Sequence, residues 1–315
     1  MTEPIRIGVM SDLHLEFEAA WWERHIAGGA ARGDSSMIAA ALLLRRELRA
    51  EPGHPGYGPD LRGLKAARID LLLMPGDIDT GVGGVRYAAA AAEYVGAPSI
   101  VVAGNHESYG YDLVELTRTQ RQEALKSSAT IFLEMGRADL EVRGRRVAVL
   151  GATLWTDYLL TGNRLAAMAR AEDDLNDHLL IRYGGRRLRP ADALAIHQAT
   201  REWLSREIPR ARTEADLVIV MTHHAPLADA NPPEHRGGRL SPAFASDLTA
   251  EILAWQPDLW SWGHTHHSMT TRLGRTRLVS CQRGYLGIES SAETFTPLVI
   301  EVDRGHAENT TSGEA

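Results

Sequence analysis

The pattern of apolar and polar positions divides the chain into short buried runs and longer amphipathic stretches. Six runs of four to six residues are rich in Val, Ile and Leu and end at a polar residue, glycine or proline, which is typical of strands buried on both faces. These predicted strands are Ile5–Met10, Ile69–Met74, Ser99–Ala103, Val147–Leu150, Leu217–Thr222 and Leu259–Trp262. The stretches between them predict helices over Val85–Val95, Asp112–Lys126, Pro190–Ile208 and Pro242–Trp255.

Strand and helix patterns alternate along the chain, which favours an α/β architecture over a β-sandwich or a helical bundle. Two pairs of short runs predict β-hairpins: Asp139–Val142 with Arg146–Leu150, and Met269–Leu273 with Thr276–Ser280. Because hairpins contribute antiparallel strands, we expect mixed sheets and not a purely parallel barrel.

One domain is predicted over residues 1–303, with an unusual segment near its start. Residues 18–63 have no clean strand period and contain glycine pairs and a stretch rich in proline and glycine, so we interpret them as an insertion or cap over one end of the sheet. Residues 304–315 are small and polar, which is typical of a flexible tail.

Composition and charge narrow the classes of function. Apolar residues make up 44% of the 315 positions, which is enough for a sizeable core. Acidic residues outnumber basic ones by 41 to 34, and the net charge of -7 disfavours general nucleic-acid binding. A lone cysteine, Cys281, an N-terminus without a secretory pattern and the lack of a long apolar run lead us to expect a cytoplasmic protein without a membrane span.

Polar clusters directly follow five of the predicted strands. They contain Asp12 and His14, then Asp77, then Asn105 and His106, then His223 and His224, and finally His264 and His266. Ligands of α/β sheets bind beyond the carboxyl ends of the strands, so we expect these clusters to converge on one site.

The residue types in these clusters point to metal chemistry. Two carboxylates, one amide oxygen and four imidazoles are too many ligands for one tetrahedral zinc ion, but they suit two divalent ions that share a carboxylate. In Asp12-x-His14 and His264-x-His266 the two residues lie two positions apart, so both side chains of each pair project to the same face of an extended segment.

Taken together, the clusters resemble the calcineurin-like metallophosphoesterase family. The matching blocks are Asp12-x-His14, Gly76-Asp77, Gly104-Asn105-His106-Glu107, His223 with a nearby proline, and Gly263-His264-x-His266. They occur in the family's order and span most of the chain. The resemblance implies a four-layer α/β/β/α metallophosphoesterase sandwich with two mixed sheets, and it implies a metal-dependent phosphoester hydrolase.

The resemblance also implies a role for each matching residue. The first metal ion would be held by Asp12, His14, Asp77 and His266, and the second by Asp77, Asn105, His223 and His264. The catalytic residues implied are His106, which would donate a proton to the leaving oxygen or stabilise charge on the phosphoryl group, and Asp77, which would bridge the ions. Two such ions lower the pKa of a bridging water, so the implied reaction is in-line attack of a hydroxide on phosphorus. Mixed oxygen and nitrogen ligands suit Mn, Fe, Zn, Co or Ni, with manganese or an iron–zinc pair expected first.

The sequence departs from the family pattern in three places. Many members have an aspartate three residues after the bridging Asp77, but this position is Thr80 and the nearest carboxylate is Asp79, so the group that orients the catalytic histidine is open. Either His223 or His224 can be aligned with the family's histidine, and the first is favoured because it directly follows the strand. The third departure is the insertion, interpreted either as a substrate-selecting cap or as an inert elaboration.

Other charged and aromatic features carry weaker hypotheses. The acidic run 172–174 with Asp177 and His178 is interpreted as a solvated helix face, with a metal site on that face as the alternative. Arg236 and Arg239 are interpreted as surface charge, with contact to a substrate phosphate as the alternative. The residues interpreted as core are Trp255, Trp260 and Trp262.

The leading hypothesis is a phosphodiesterase or phosphatase that acts on a phosphate-ester substrate of small or medium size. Cyclic-nucleotide phosphodiesterases, nucleases and protein phosphatases are alternatives, because loops and caps select the substrate. The nuclease alternative has a basic patch in its favour, at Arg45, Arg46, Arg49, Arg62 and Lys65.

Outside the enzyme class, the alternative is a catalytically silent interaction scaffold resembling the retromer subunit. Such members typically lack the histidine after the asparagine, and this histidine is present here as His106.

Overall fold

Two β-sheets form the centre of the structure, a computed structural model that describes residues 3–18 and 54–303. The first sheet contains β1 (Ile5–Val9), β2 (Leu71–Met74), β3 (Ser99–Val102), β4 (Thr130–Leu133) and β13 (Leu298–Val302), with strands numbered in chain order. Their order across the sheet is β13-β1-β2-β3-β4. The strands β1 to β4 are parallel, and β13 pairs antiparallel with β1 at one edge.

The second sheet also has a parallel centre. It contains β5 (Gly136–Val142), β6 (Arg145–Ala152), β9 (Leu217–Thr222), β10 (Leu259–Trp262), β11 (Thr270–Leu273) and β12 (Thr276–Ser280). Their order is β11-β12-β10-β9-β6-β5, with antiparallel strands at both edges. A separate short ribbon is formed by β7 (Arg182–Tyr183) and β8 (Arg186–Arg187).

Helices cover the outer face of each sheet. They are α1 (Arg62–Ala66), α2 (Gly83–Val95), α3 (Leu113–Ala124), α4 (Arg164–Asp174), α5 (Asn176–Leu180), α6 (Pro190–Glu214), α7 (Thr249–Trp255) and α8 (Ser290–Glu293). The helix α2 packs on β3 and β4 of the first sheet, and α6 packs on β6 and β9 of the second. The layers therefore run α/β/β/α, which confirms the predicted fold class.

Alternate residues of the central strands pack into different layers, as the pleat of a strand requires. In β2, Leu71 and Leu73 face the apolar core between the two sheets, whereas Leu72 faces the helices. In β9, Ile219 faces the core between the sheets and Val220 faces α6. Burial on both faces explains why these strands read as continuous apolar runs in the sequence.

All six predicted strands and both predicted hairpins are present. The first hairpin turns at Arg143-Gly144, where both residues have positive φ, and its strands are longer than the sequence indicates. The residues Trp260 and Trp262 are fully buried against the helices, as predicted for core side chains.

All four predicted helices are present, and two of them differ from the predicted bounds by more than two residues at one end. The expected helix Pro242–Trp255 was wrong at its start: it begins at Thr249, because the backbone N–H groups of Ser246 and Leu248 donate instead to carbonyls that follow β9. Helix α6 continues past the predicted end at Ile208 to Glu214 and contains Pro209 inside it, where a proline usually ends a helix.

Part of the predicted domain organisation lies outside the described residues. The insertion is described only at its ends, and the tail is not described, so both stay predictions.

Within residues 3–18 and 54–303, no helix is both long and apolar enough to cross a membrane. Cys281 is buried, and burial raises the pKa of its thiol to about 11. The cytoplasmic location also stays a prediction.

Truncation of a core leucine should destabilise the fold. Leu217 is fully buried between the sheets, so Leu217→Ala is expected to lower the free energy of unfolding by about 2–5 kcal/mol through lost burial and a residual cavity. Urea unfolding followed by circular dichroism measures the change. The matched control is Leu165→Ala, whose side chain is 80% exposed and whose change should stay within about 0.5 kcal/mol. Equal losses in the two variants would contradict the described core.

Candidate metal centre

The carboxyl ends of five parallel strands converge on one buried cluster of polar side chains. Strands β1, β2 and β3 of the first sheet and β9 and β10 of the second end at this point. The cluster contains all eight predicted site residues: Asp12, His14, Asp77, Asn105, His106, His223, His264 and His266. Seven of them are at most 8% exposed.

A first group of possible metal ligands is formed by Asp12, His14 and His266. The Nε2 atoms of the two histidines face each other at 2.9 Å. Nε2 of His266 also lies 3.8 Å from Oδ1 of Asp12. The ligand atoms of this group lie within 4.8 Å of one another, so one ion can contact all three.

A second group is formed by Asp77, His223 and His264, with Asn105 beside it. Nε2 of His223 lies 3.2 Å from Nδ1 of His264 and 3.0 Å from the amide oxygen of Asn105. The carboxylate of Asp77 lies between the two groups. Its Oδ1 is 3.4 Å from Nε2 of His223, and its Oδ2 is 3.9 Å from Nε2 of His14.

The donor set fits divalent cations. Nδ1 of His223 lies 2.8 Å from the carbonyl oxygen of Pro75, and Nδ1 of His14 lies 3.2 Å from Oε1 of Glu16. If the ring protons are donated to these acceptors, the Nε2 lone pairs point into the shared space. Lone pairs that face each other this closely repel unless a positive charge lies between them, and a metal ion supplies that charge.

The ring of His224 lies beside this cluster but outside both groups of possible ligands. It packs on the ring of His264, with centroids 4.1 Å apart, and stacks on Trp155, while its Nδ1 lies 3.2 Å from the carbonyl oxygen of Thr153. Burial, with the charge of His223 next, holds the pKa of His224 well below its usual range. Of the two histidines left open by the sequence, His223 is the one that belongs to a group of possible ligands.

Several residues of the cluster have an unusual backbone conformation. Asp12, His14, Asp77, His264 and His266 all have φ between 48° and 75°, the left-handed region that non-glycine residues rarely adopt. Such conformations concentrate at functional sites, where the surrounding structure holds them. The fold therefore holds these side chains in position even though their backbone conformations are locally unfavourable.

A buried carboxylate, that of Glu107, connects two of the loops that form the site. Its Oε2 accepts hydrogen bonds from the backbone N–H groups of Asp77 (3.1 Å) and Gly104 (2.7 Å), and its Oε1 accepts one from Ile78 (2.8 Å). Burial, and then the nearby charge of Asp77, raises the pKa of Glu107 to about 8. Glu107 therefore joins the loops that follow β2 and β3.

His106 lies beside the cluster and is held at both ring nitrogens. Its Nδ1 is 3.0 Å from Oε1 of Glu16, and its Nε2 is 3.1 Å from the hydroxyl of Tyr285. Burial disfavours the charged ring, but the charges of Asp77 and Glu16 outweigh it and raise the pKa of His106 to about 9. Glu16, and not Asp79, is therefore the carboxylate that contacts this ring. Asp79 accepts instead from the backbone N–H of Thr80.

Two further residues at the site, Glu289 and Tyr285, were missed by the sequence analysis. Glu289 lies 2.7 Å from Nδ1 of His266, and Tyr285 contacts His106. Asp177, which the sequence analysis considered only as part of an acidic helix face, accepts a hydrogen bond from the amide nitrogen of Asn105 at 2.9 Å. No sequence signal marks Glu289 or Tyr285, because each meets its partner only through the fold.

The predicted solvated acidic face is therefore only partly correct. Glu172 and Asp173 are exposed, but Asp177 and His178 are buried. Asp177 belongs to a short helix that follows α4 and turns its carboxylate towards Asn105 and the hydroxyl of Tyr109. The chain changes direction between the two helices, so their acidic residues do not share the single helix face that their sequence spacing suggested.

A cleft of about 960 Å³ opens over the cluster. Its walls include Asp77, Asn105, His106, His264 and His266, together with aromatic side chains. A phosphate ester of small or medium size fits a cavity of this volume.

The comparison with protein families decides the assignment. The family model described as calcineurin-like phosphoesterase matches residues 5–268, which is most of the chain. The chain belongs to this family. Its members act on phosphoesters and typically bind two divalent metal ions, so the chain is a hydrolase. No curated protein matches the chain significantly.

Solved structures share the fold at low sequence identity. A phosphopantetheinyl hydrolase from Mycobacterium tuberculosis is 17% identical, with a TM-score of 0.56 over 90% of this chain and 91% of that chain. A dimetal phosphatase from Danio rerio is 12% identical, with a TM-score of 0.48 over 96% of this chain and 97% of that chain. At these identities, the likeness concerns the fold.

A methyl group at Gly104 should disturb the cluster. It would overlap with Oδ1 of Asp77 and lie 2.6 Å from Cε1 of His223. Gly104→Ala is therefore expected to lower the affinity for Mn²⁺ at least about tenfold, as displaced ligand supports commonly do. Calorimetric titration of chelator-stripped protein measures the affinity. The control is Gly63→Ala, whose methyl group meets no atom within 4 Å. Unchanged affinity in Gly104→Ala would contradict a metal site at this position.

Proposed function

We propose that this chain hydrolyses phosphate esters with two divalent metal ions that share one carboxylate. The proposed ligands are Asp12, His14, Asp77 and His266 for the first ion, and Asp77, Asn105, His223 and His264 for the second. The proposal depends on the position of Asp77, because its two oxygens face two different groups of possible ligands. When bound, such ions withdraw charge from the phosphoryl oxygens and make water acidic enough to attack phosphorus near neutral pH.

His106 is proposed to deliver the proton that the leaving oxygen needs. Its ring lies in the wall of the cleft, and its Nε2 points towards the hydroxyl of Tyr285 and not into the protein core. A positioned imidazole contributes roughly 10²–10⁴-fold to such a reaction. The contact of Nδ1 with Oε1 of Glu16 at 3.0 Å supports this role, because a carboxylate there favours the protonated ring, which is the form that donates.

Glu16 is proposed to orient His106, in place of the aspartate that many family members have where Thr80 stands. One oxygen, Oε1, contacts Nδ1 of His106 at 3.0 Å and Nδ1 of His14 at 3.2 Å. A single carboxylate therefore fixes both the proton donor and a proposed metal ligand. Because it accepts at Nδ1 of both rings, it leaves each Nε2 for the chemistry in the cleft.

Asp177 is proposed to orient the amide of Asn105. The amide nitrogen of Asn105 donates to Asp177 at 2.9 Å and to the hydroxyl of Tyr109 at 3.0 Å. With the nitrogen held there, the amide oxygen faces His223 and is available to an ion. Such outer partners usually contribute to metal affinity through the orientation of the ligand.

Manganese is the first metal to test, and both phosphodiesters and phosphomonoesters are candidate substrates. The basic patch is the feature that favours a nuclease, and the two of its residues that the structure describes each have another contact. Arg62 forms an ion pair with Asp60, and Lys65 lies over the ring of Tyr94 at 4.1 Å. The other three arginines of the patch lie outside the described residues.

Metal-dependent hydrolysis tests the proposed function. Chelator-stripped protein should hydrolyse bis(p-nitrophenyl) phosphate only after Mn²⁺ is added back. Asp77→Ala and His264→Ala should lose at least about a hundredfold in turnover, since the ions are expected to contribute several kcal/mol. The control is Asp173→Ala on the exposed surface of α4.

Undiminished Mn²⁺-dependent turnover in Asp77→Ala would refute the shared carboxylate. If the chain binds two ions but hydrolyses neither phosphodiesters nor phosphomonoesters, the interaction scaffold becomes the better explanation.

The role of Glu16 has a distinct kinetic signature. Glu16→Gln should lower kcat about tenfold or more for phenyl esters, whose leaving oxygen needs a proton, and less for p-nitrophenyl esters. The control is Glu289→Gln, which loosens His266 and should affect both esters equally while it weakens Mn²⁺ binding. Equal losses for both leaving groups in Glu16→Gln would contradict the orientation of a proton donor.

A further inference from the structure

A second cavity, of about 420 Å³, adjoins the cleft; we call it the side cavity. The two share wall residues, which are Pro232, Glu234, His235, Phe244 and Thr265. The rest of the side cavity is formed mainly by the loop 238–241, which includes Leu240. The side cavity is therefore a direct neighbour of the cleft over the polar cluster.

The side cavity begins directly beside the second group of proposed ligands. The ring of Phe244 stacks on the ring of His264, with centroids 4.8 Å apart and an angle of 22°. Thr265 lies between His264 and His266 in the chain and also lines both cavities. A ligand with its phosphoryl group at the cluster can therefore extend into the side cavity past a single aromatic side chain.

The two cavities differ in chemistry. The cleft has only slightly more polar than apolar surface, whereas the lining of the side cavity is mostly apolar, with Arg170, Glu234 and Arg239 also in its wall. Pro232, Leu240 and Phe244 provide this apolar surface. Concave apolar pockets of a few hundred Å³ are the usual form of a site for an organic group.

The proton donor and the side cavity lie at different groups of the cluster. His106 contacts His14 and Glu16, beside the first group, whereas the side cavity starts at His264 in the second. The leaving group belongs beside the proton donor. An organic group in the side cavity is therefore the other substituent on phosphorus, which a monoester does not have.

We infer that the substrate is a phosphodiester whose retained group is an elongated, largely apolar arm that occupies the side cavity. This inference rests on the proposed hydrolase function and adds the substrate class. Burial of each methylene group contributes up to about fourfold to binding, so an arm of several carbons gives a measurable preference.

The test compares the methyl and hexyl esters of p-nitrophenyl phosphate with the Mn²⁺-loaded protein. The hexyl ester should have a kcat/KM at least about tenfold higher, because several methylene groups become buried. Leu240→Trp fills the side cavity and should bring the hexyl-to-methyl ratio close to one. Leu240→Ala removes apolar wall without adding bulk and should lower the ratio about threefold, which covers the case that the tryptophan variant does not fold. Leu165→Trp, at an exposed position, should keep the ratio of the unmodified chain.

The outcomes separate this inference from the proposed function. Hydrolysis of both esters at equal kcat/KM would overturn the inference and leave the hydrolase intact. A hexyl preference that persists in both Leu240 variants would also overturn it, because the arm would then bind elsewhere. If neither ester is hydrolysed with two Mn²⁺ ions bound, turnover of p-nitrophenyl phosphate would overturn the inference alone, and no turnover of that monoester would overturn the proposed function itself.

Discussion

A buried carboxylate, that of Asp77, lies between two groups of imidazoles, and its charge requires compensation because an isolated charge in a protein interior costs several kcal/mol. The backbone N–H of His106, which donates to Oδ1 at 2.9 Å, supplies part of that compensation, and the proposed metal ions between the two oxygens and the neighbouring histidines would supply the rest. Each histidine is in turn set by a second acceptor, such as Glu16 for His14 or the carbonyl of Pro75 for His223. The site is thus a network in which charged and polar side chains hold one another in position through direct contacts.

The fold supports this network because it brings the polar groups together at one edge of an otherwise apolar interior. The strands of both sheets are buried on both faces, and their side chains become polar only where the strands end. Since the central strands of each sheet are parallel, their carboxyl ends meet, and residues far apart in sequence become neighbours. Glu107 then ties the loops after β2 and β3 together, so that local strain at Asp77 is held by buried hydrogen bonds.

The strands and the polar residues at their ends could be predicted from local patterns in the sequence, whereas the four layers and the role of each of the eight residues were expected from the family resemblance. Short apolar runs mark the strands, and the residue directly after a run marks the site. The partners of the site could not be predicted in this way. Glu16 meets His106 across 90 positions, and Asp177 meets Asn105 across 72, so no local spacing reveals either contact. The start of α7 was missed for a similar reason, since Ser246 bonds to Ala225 rather than within a helix.

Seven side chains are proposed to hold two divalent ions that share Asp77, and an anomalous-difference map from crystals grown with Mn²⁺ tests this most directly. The expected result is two peaks about 3.5–4 Å apart. One peak should contact Asp12, His14 and His266, the other Asn105, His223 and His264, and both should contact Asp77. A single peak, or two peaks without a common contact to Asp77, would contradict the shared carboxylate on which the proposed chemistry depends.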